Sequence, residues 1–361
     1  MSLLVLPIVE ASGTPRQLGE AIGASLRPEI AAMIDRRMHA ASAYFVEHPV
    51  GSVEMMVDEG AACLNVLEAW DAAGFSEHHA TAAAAGVDAA TLYAAANYSD
   101  VRDIVCEGIA PSGDEGCTSV AIAATRTSER SLLVGQTWDL HPLDVDSIIA
   151  VHRLPSDAPE TWSVTVAGAP TLIGMNNLGL WTGTTNIKVD GARTGVCYMN
   201  LLHRAIRCST REEADEVIQS APRAAAHTFL LADPGGAIEL ECTATTCSRR
   251  DLADRPLIRT NHCFNTTHAA RETESPSPSS VARSSRAEQL LDGGTLDVDA
   301  IRDLMIDREG GLEAINRYPE DGESTATNAC MIGIPAARRF EACRGPADRG
   351  EWTQLPFQEP G

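Results

Sequence analysis

The chain has 361 residues, 44% hydrophobic and 22% charged, which is enough apolar material for a large core and far from the composition of a disordered chain. Its net charge is −22, its basic residues are 27 arginines and the single Lys188, and aromatics are only 4%. That composition lacks the basic surface of a nucleic-acid or anionic-membrane binder and the stacking platforms of a single-strand binder, and no stretch reaches the roughly 20 apolar residues of a membrane helix.

The apolar start, Met1–Val9, meets Glu10 at once and reads as a first strand rather than a signal peptide. A cytoplasmic protein is therefore expected, with its ten scattered cysteines mostly reduced. Thr14 as N-cap and Pro15 at the first helical position open a helix running to about Ala43 with a bend near Pro28. Further helices are expected over Val53–Ala73 and, behind Asp88, over Thr91–Asn97. This first segment, 1–116, is alanine-rich and holds 17 acidic against 5 basic residues.

After Gly116 the period changes to that of strands. Strands are predicted over Ser119–Thr125, Leu132–Trp138, Ser147–Arg153 and Trp162–Ala167. Two more, Leu172–Met175 and Leu180–Asn186, flank an Asn176–Gly179 turn. A helix over Gly195–Cys208 and a second opened by Thr210–Glu213 and ending near Ser220 follow. Strands Thr228–Ala232 and Ala237–Cys242 surround the turn Asp233–Gly236, and Leu257–Cys263 is another strand. Glu272–Ser285, rich in Ser and Pro, reads as a surface loop. Helices near Arg286–Leu291 and Val298–Arg308 precede a closing hairpin, Ala329–Ile334 with Arg339–Cys343. Helices, strands, helices, strands is the order of an α+β layered fold with largely antiparallel sheets, not of a simple βαβ alternation.

The chemistry-bearing residues cluster where the texture changes. Glu115-Gly116-Cys117-Thr118-Ser119 stands at that boundary, and Gly135-Gln-Thr-Trp-Asp139 closes the next strand. With Gly13-Thr-Pro15 followed by Gly19 and Gly23, with Gly174–Gly179, with Thr260-Asn-His262 and with the last hairpin, these blocks resemble, in order and over nearly the whole chain, the acyl-coenzyme A:6-aminopenicillanic acid acyltransferase family of autoproteolytic N-terminal-nucleophile (Ntn) hydrolases.

The resemblance implies a four-layer αββα sandwich made as one precursor that cuts itself before Cys117. The products would be a helical segment 1–116 and a catalytic segment 117–361 that stay associated as a heterodimer within one domain, with a higher oligomer open. Cys117 would be nucleophile, Asp139 the carboxylate orienting its new amino group, and Asn261 an amide donor to the oxyanion. The expected activity is amide hydrolysis or N-acyl transfer through a thioester, on a small-molecule amide or acyl donor, without metal or cofactor.

The physics agrees. Cleavage would place an α-amine of pKa about 7.7–8.0 beside the thiol, so one residue supplies nucleophile and base. Gly116 is expected to admit a strained backbone. Trp138 and Trp181 read as core or pocket wall, and with His227 and Ser324 they are the candidates for the substrate pocket. Ser324 falls roughly where penicillin-type members carry an arginine, which weakens any transfer of their carboxylate-bearing substrates to this chain. His262 reads as packing, because the new amine already fills the base role. A binding protein that kept the fold without the chemistry, and a metal-dependent hydrolase, are the competing readings; no HExxH or paired Cys/His spacing favours the latter.

Overall fold

The computed structural model describes residues 3–106, 116–322 and 325–358. Thr14 opens the first helix as its residue type dictates. Its hydroxyl accepts from Gln17 N–H and the Gln17 side chain accepts from Thr14 N–H at 2.9 Å, a reciprocal cap. The N-terminal helices are α1 (Pro15–Ser25), α2 (Arg27–Glu47), α3 (Val53–Trp70), α4 (Ala72–Ala85), α5 (Ala89–Ala96) and α6 (Tyr98–Val105). The expected long first helix breaks at Leu26, ahead of Pro28, rather than bending at the proline. The expected Val53–Ala73 helix ends at Trp70 and a new one starts at Ala72. Gly19 and Gly23 have a packing role: a Cβ on either would lie 2.2 Å from a backbone oxygen of α4, so α1 reaches α4 only through glycine.

The later helices are α7 (Tyr198–Ala205), α8 (Arg211–Ser220), the short α9 (Thr266–Ala269), α10 (Pro278–Leu291) and α11 (Val298–Met305). Half of the expected 272–285 loop is therefore helix. Ser277 caps it by accepting from Ser280 N–H at 3.1 Å, and Pro278 takes the first turn.

Two sheets lie between these helices. The larger, eight-stranded, has the order β1 (Ile8–Gly13), β4 (Ile148–Pro155), β5 (Thr161–Val166), β6 (Ile173–Asn176), β7 (Trp181–Asn186), β8 (His227–Asp233), β9 (Gly236–Cys242), β10 (Cys247–Asp251). The smaller, six-stranded, has the order β11 (Leu257–Arg259), β2 (Gly116–Ile122), β3 (Leu133–Leu140), β12 (Ala326–Ile334), β13 (Arg339–Arg344), β14 (Thr353–Gln354). Within the two sheets, among the described residues, β1–β4 is the parallel pair and the others are antiparallel. α1, α7 and α8 lie on the larger sheet, and α10 and α11 on the smaller. The layers run helix, sheet, sheet, helix, the αββα order expected of an Ntn hydrolase.

Ile301, Leu304 and Met305 of α11 seal the outer face of the smaller sheet against Val120, Leu133 and Ile332. The main core joins the N-terminal helices, through Ile30, Met33 and Leu92, to the larger sheet and on into the space between the sheets. Each such side chain withdraws from water at a gain of about 1.5–3 kcal/mol, so segment 1–106 has its core partners in the C-terminal segment. Cys242 and Cys247 face each other across β9–β10 and form a disulfide, which corrects the expectation of reduced cysteines for this pair. Among the described residues no helix is long and apolar enough to cross a membrane.

A buried polar network also bridges the two segments. Glu77 of α4 accepts from Arg153 Nε of β4 at 2.8 Å and lies 3.4 Å from His203 Nε2 of α7. Burial by itself raises the Glu77 carboxyl, but Arg153 and His203 outweigh it and hold it well below the usual carboxylate range. A carboxyl depressed on folding contributes stability above its unfolded pKa, and that stability is lost as pH falls through the folded value. Glu77→Gln is expected to cost about 3 kcal/mol at neutral pH by stranding Arg153. It should also flatten the fall of Tm below about pH 4.5. Superimposable Tm–pH curves for variant and wild type would show that the network contributes nothing.

Candidate active site

The centre of the smaller sheet sets the site. β2 begins with Gly116 and Cys117, and pairing with β3 places Gly116 opposite Asp139 and Cys117 opposite Trp138. On its other side Asp139 faces Thr327 of β12, next to a shift in register. Asp139 is 1% exposed and neither of its oxygens makes a hydrogen bond of normal geometry. Its polar surroundings are Arg317, Arg283 and the Thr327 hydroxyl; burial outweighs them all and raises its carboxyl above the ordinary value. A Cβ on Gly116 would lie 2.7 Å from Asp139 Oδ2. The glycine is needed for that close approach; its φ lies outside the left-handed region, so the expected backbone strain is not its role.

Asn261 follows β11, which pairs with β2, and so reaches the same spot. Its Oδ1 accepts from Cys117 N–H at 2.8 Å. Its Nδ2 donates to Asn186 O at 3.0 Å. The side chain therefore turns its oxygen, not its amide donor, toward Cys117. Two groups fix that orientation: the Asn186 carbonyl on one end and Arg283 Nη2, which donates to Oδ1 at 2.8 Å, on the other. The expected oxyanion donor thus appears here as an acceptor at the nucleophile's own nitrogen.

Arg283, fully buried on α10, is a functional candidate that the sequence did not announce. Besides Asn261 it donates to Cys117 O and, at 3.1 Å, to Thr118 Oγ1. Ser279, one turn earlier, accepts from Arg283 Nε at 3.2 Å and also from Arg317 Nη2. Arg317 Nη1 donates to Thr325 Oγ1 at 2.6 Å. Two buried guanidinium groups thus flank the Asp139 carboxylate and the Cys117 backbone. The Ser277-Pro278 cap was the readable signal for α10; nothing in an arginine-rich sequence marked these two arginines. The loop carrying Asn261 is held from below by Glu241, which accepts from Arg259 Nη2 at 2.6 Å and from Phe264 N–H at 2.7 Å.

Cys117, Trp138 and Asp139 line a cavity of about 30 Å³ with Thr184, Asn186 and His227. That is room for roughly two water molecules, so an N-acyl amide needs the walls to part. Arg37, Tyr98 and Ser99 close the cavity from the N-terminal segment, which therefore forms part of the site. Trp138 and His227 stand in the wall of this cavity. Trp181 does not: it is 0% exposed, packed edge-on to Phe340 at 5.5 Å between the sheets. Strand alternation on β7 sends it into that inter-sheet core. His262 Nδ1 lies 2.8 Å from Ser280 Oγ, a packing position outside the cavity. Ser324, and the Gly113–Glu115 stretch of the boundary motif, lie outside the described residues.

A model of the family described as acyl-coenzyme A:6-aminopenicillanic acid acyl-transferase matches residues 125–345, a span that includes Asp139, Asn261, Arg283 and Arg317 and begins downstream of Cys117. The acyl-coenzyme A:6-aminopenicillanic-acid-acyltransferase 40 kDa form of Emericella nidulans is 26% identical over 223 residues, 60% of this chain and 61% of that one. The aligned region thus spans less than two thirds of that relative's length. Among solved structures, a mutant form of the conjugated bile acid hydrolase from Clostridium perfringens is similar with a TM-score of 0.45 and 14% identity, covering 67% of this chain and 97% of that one. The Caenorhabditis elegans ortholog of N-acylethanolamine-hydrolyzing acid amidase gives a TM-score of 0.44 and 12% identity, covering 66% of this chain and 100% of that one.

Proposed function

The chain belongs to the acyl-coenzyme A:6-aminopenicillanic acid acyl-transferase family, and from that premise we propose that it is a self-cleaving N-terminal cysteine amidohydrolase or N-acyltransferase. The reading rests chiefly on one observation: Cys117 N–H on Asn261 Oδ1, with the Asp139 carboxylate against Gly116 at the first residues of β2.

In maturation the Cys117 sulfur attacks the Gly116 carbonyl carbon, the bond to Cys117 N breaks, and that nitrogen takes a proton. Water then opens the thioester, leaving a Gly116 carboxylate and a Cys117 with free thiol and amine. No amine exists before the cut, so another group must take the thiol proton. Asp139 suits that role, because it is buried, its carboxyl is raised, and it pairs across the sheet with Gly116, the residue before the nucleophile. Arg283 on Cys117 O and Asn261 on Cys117 N hold the strand still during the attack.

After cleavage the new ammonium has Asn261 Oδ1 and the Asp139 carboxylate as neighbours. It passes its proton through the cycle as general acid and base while the sulfur carries the acyl group. An amide substrate gives up its amine and leaves a thioester; water completes hydrolysis, and an amine completes transfer. The associated fragments 1–116 and 117–361 form the working heterodimer.

The test is acyl capture. The purified chain is mixed with N-acyl amides or acyl-coenzyme A thioesters, quenched in acid and analysed by peptide mass. An acyl mass on the peptide that begins at Cys117, released by hydroxylamine, is the expected result. Acyl groups on another residue, or none on a chain that has cleaved itself, would overturn the reading.

A further inference from the structure

The cavity beside Cys117 holds a polar group that this chemistry does not use. His227 opens β8, is 3% exposed, and stacks on Tyr198 with ring centroids 4.3 Å apart and planes 20° apart. Its Nε2 is 2.6 Å from Asp100 Oδ1. The other Asp100 oxygen accepts from Tyr198 N–H at 2.9 Å, so a buried aspartate of α6 fixes the ring in position. A carboxylate only accepts, so the shared proton sits on Nε2, which leaves Nδ1 for another partner. Nδ1 is buried and has no hydrogen-bond partner among the described residues. A buried nitrogen in a cavity wall is a place for a ligand to complete.

The surroundings say which ligand. Trp138, Tyr98 and Tyr198 give this cavity aromatic walls, and Asp100 backs the imidazole with a carboxylate. Arg37, the cation in the wall, already holds Asp144 and the carbonyls of Ala95 and Ala96. Aromatic faces and an acceptor backed by a carboxylate suit a cationic donor. In a thioester mechanism the acyl part stays on Cys117, in the cavity that Cys117 lines, while the amine departs. We infer that His227 is a specificity-determining residue that accepts a hydrogen bond from an amino group on the acyl part of the substrate, with Asp100 as its positioning residue. The inference rests on the proposed function.

It is tested with p-nitroanilides in matched pairs: glycyl, β-alanyl and γ-aminobutyryl, each against the acyl group with methyl in place of the amine (propionyl, butyryl, valeryl). For the chain length that reaches Nδ1, wild type should favour the amine by about tenfold or more in kcat/KM. His227→Phe, which keeps an aromatic ring on Tyr198, should bring that ratio near one, and His227→Gln, which offers an acceptor oxygen, should restore part of it. Equal ratios in wild type for all three pairs would overturn the inference. So would His227→Phe lowering both members of a pair by the same factor. A chain that cleaves itself but hydrolyses none of the six probes sinks the inference and leaves the nucleophile standing. A chain that never cleaves itself removes the nucleophile and the inference together.

Discussion

Cys117→Ala should yield a folded, 361-residue chain that runs as one band and turns over no amide. The residue is buried at the start of a central strand, so losing its sulfur disturbs packing little. What is lost is the atom proposed to attack. In the wild type the sulfur and the target carbonyl belong to adjacent residues, so the proposed cut is intramolecular and its rate should be independent of protein concentration. Cys117→Ser keeps a poorer nucleophile and should cleave slowly, giving both bands after long incubation. Two bands from Cys117→Ala, cut at the same bond, would assign the cleavage to a contaminating protease and return Cys117 to the buried structural cysteines.

Asp139→Asn is expected to lower turnover by about 10²–10⁴-fold in a protein of near wild-type Tm. The amide keeps the shape of the carboxylate between Gly116 and Thr327 and removes its charge. Two consequences separate this from simple damage. On the proposed mechanism the mature enzyme should lose the anion that steadies the Cys117 ammonium. The precursor should lose the group proposed to take the thiol proton, so self-cleavage should slow as well. The sign of the pH dependence follows from the raised carboxyl: only the ionised form accepts a proton. Wild-type self-cleavage should therefore accelerate as pH rises through a value above the ordinary aspartate range, and the Asp139→Asn rate should lack that limb. Wild-type turnover and an unchanged pH profile in the variant would make Asp139 a structural residue.

The sequence blocks picked out three residues of the candidate site that the fold brings together. Cys117, Asp139 and Asn261 are far apart in the sequence, yet β2, β3 and the end of β11 bring them together. Local rules sufficed for the Thr14 cap and for the turn at Asn176–Gly179, where Asn176 Oδ1 accepts from Leu178 N–H at 2.9 Å. They failed where the decisive term was tertiary. The run Ala72–Ala85 has no apolar stripe to read, and what places α4 is α1, which packs glycine-close against it. A Ser/Pro-rich stretch looked like a loop because its capping serine is also a loop residue. Arg283 and Arg317 are two among 27 arginines, and only the fold selects the pair that flanks Asp139. Trp181 read as core or pocket wall, and the fold makes it core: sequence gives the alternation of a strand but not which face meets the second sheet. The His227–Asp100 pair joins residues from either side of Cys117, and no local pattern predicts it.

The most direct test of the central claim is the N-terminal sequence of the larger species in purified wild-type protein, made without added protease. The account predicts Cys-Thr-Ser-Val, the residues from Cys117 onward, with the segment ending at Gly116 co-purifying through the shared core. A fully active enzyme whose chain remains whole across Gly116–Cys117 would contradict it.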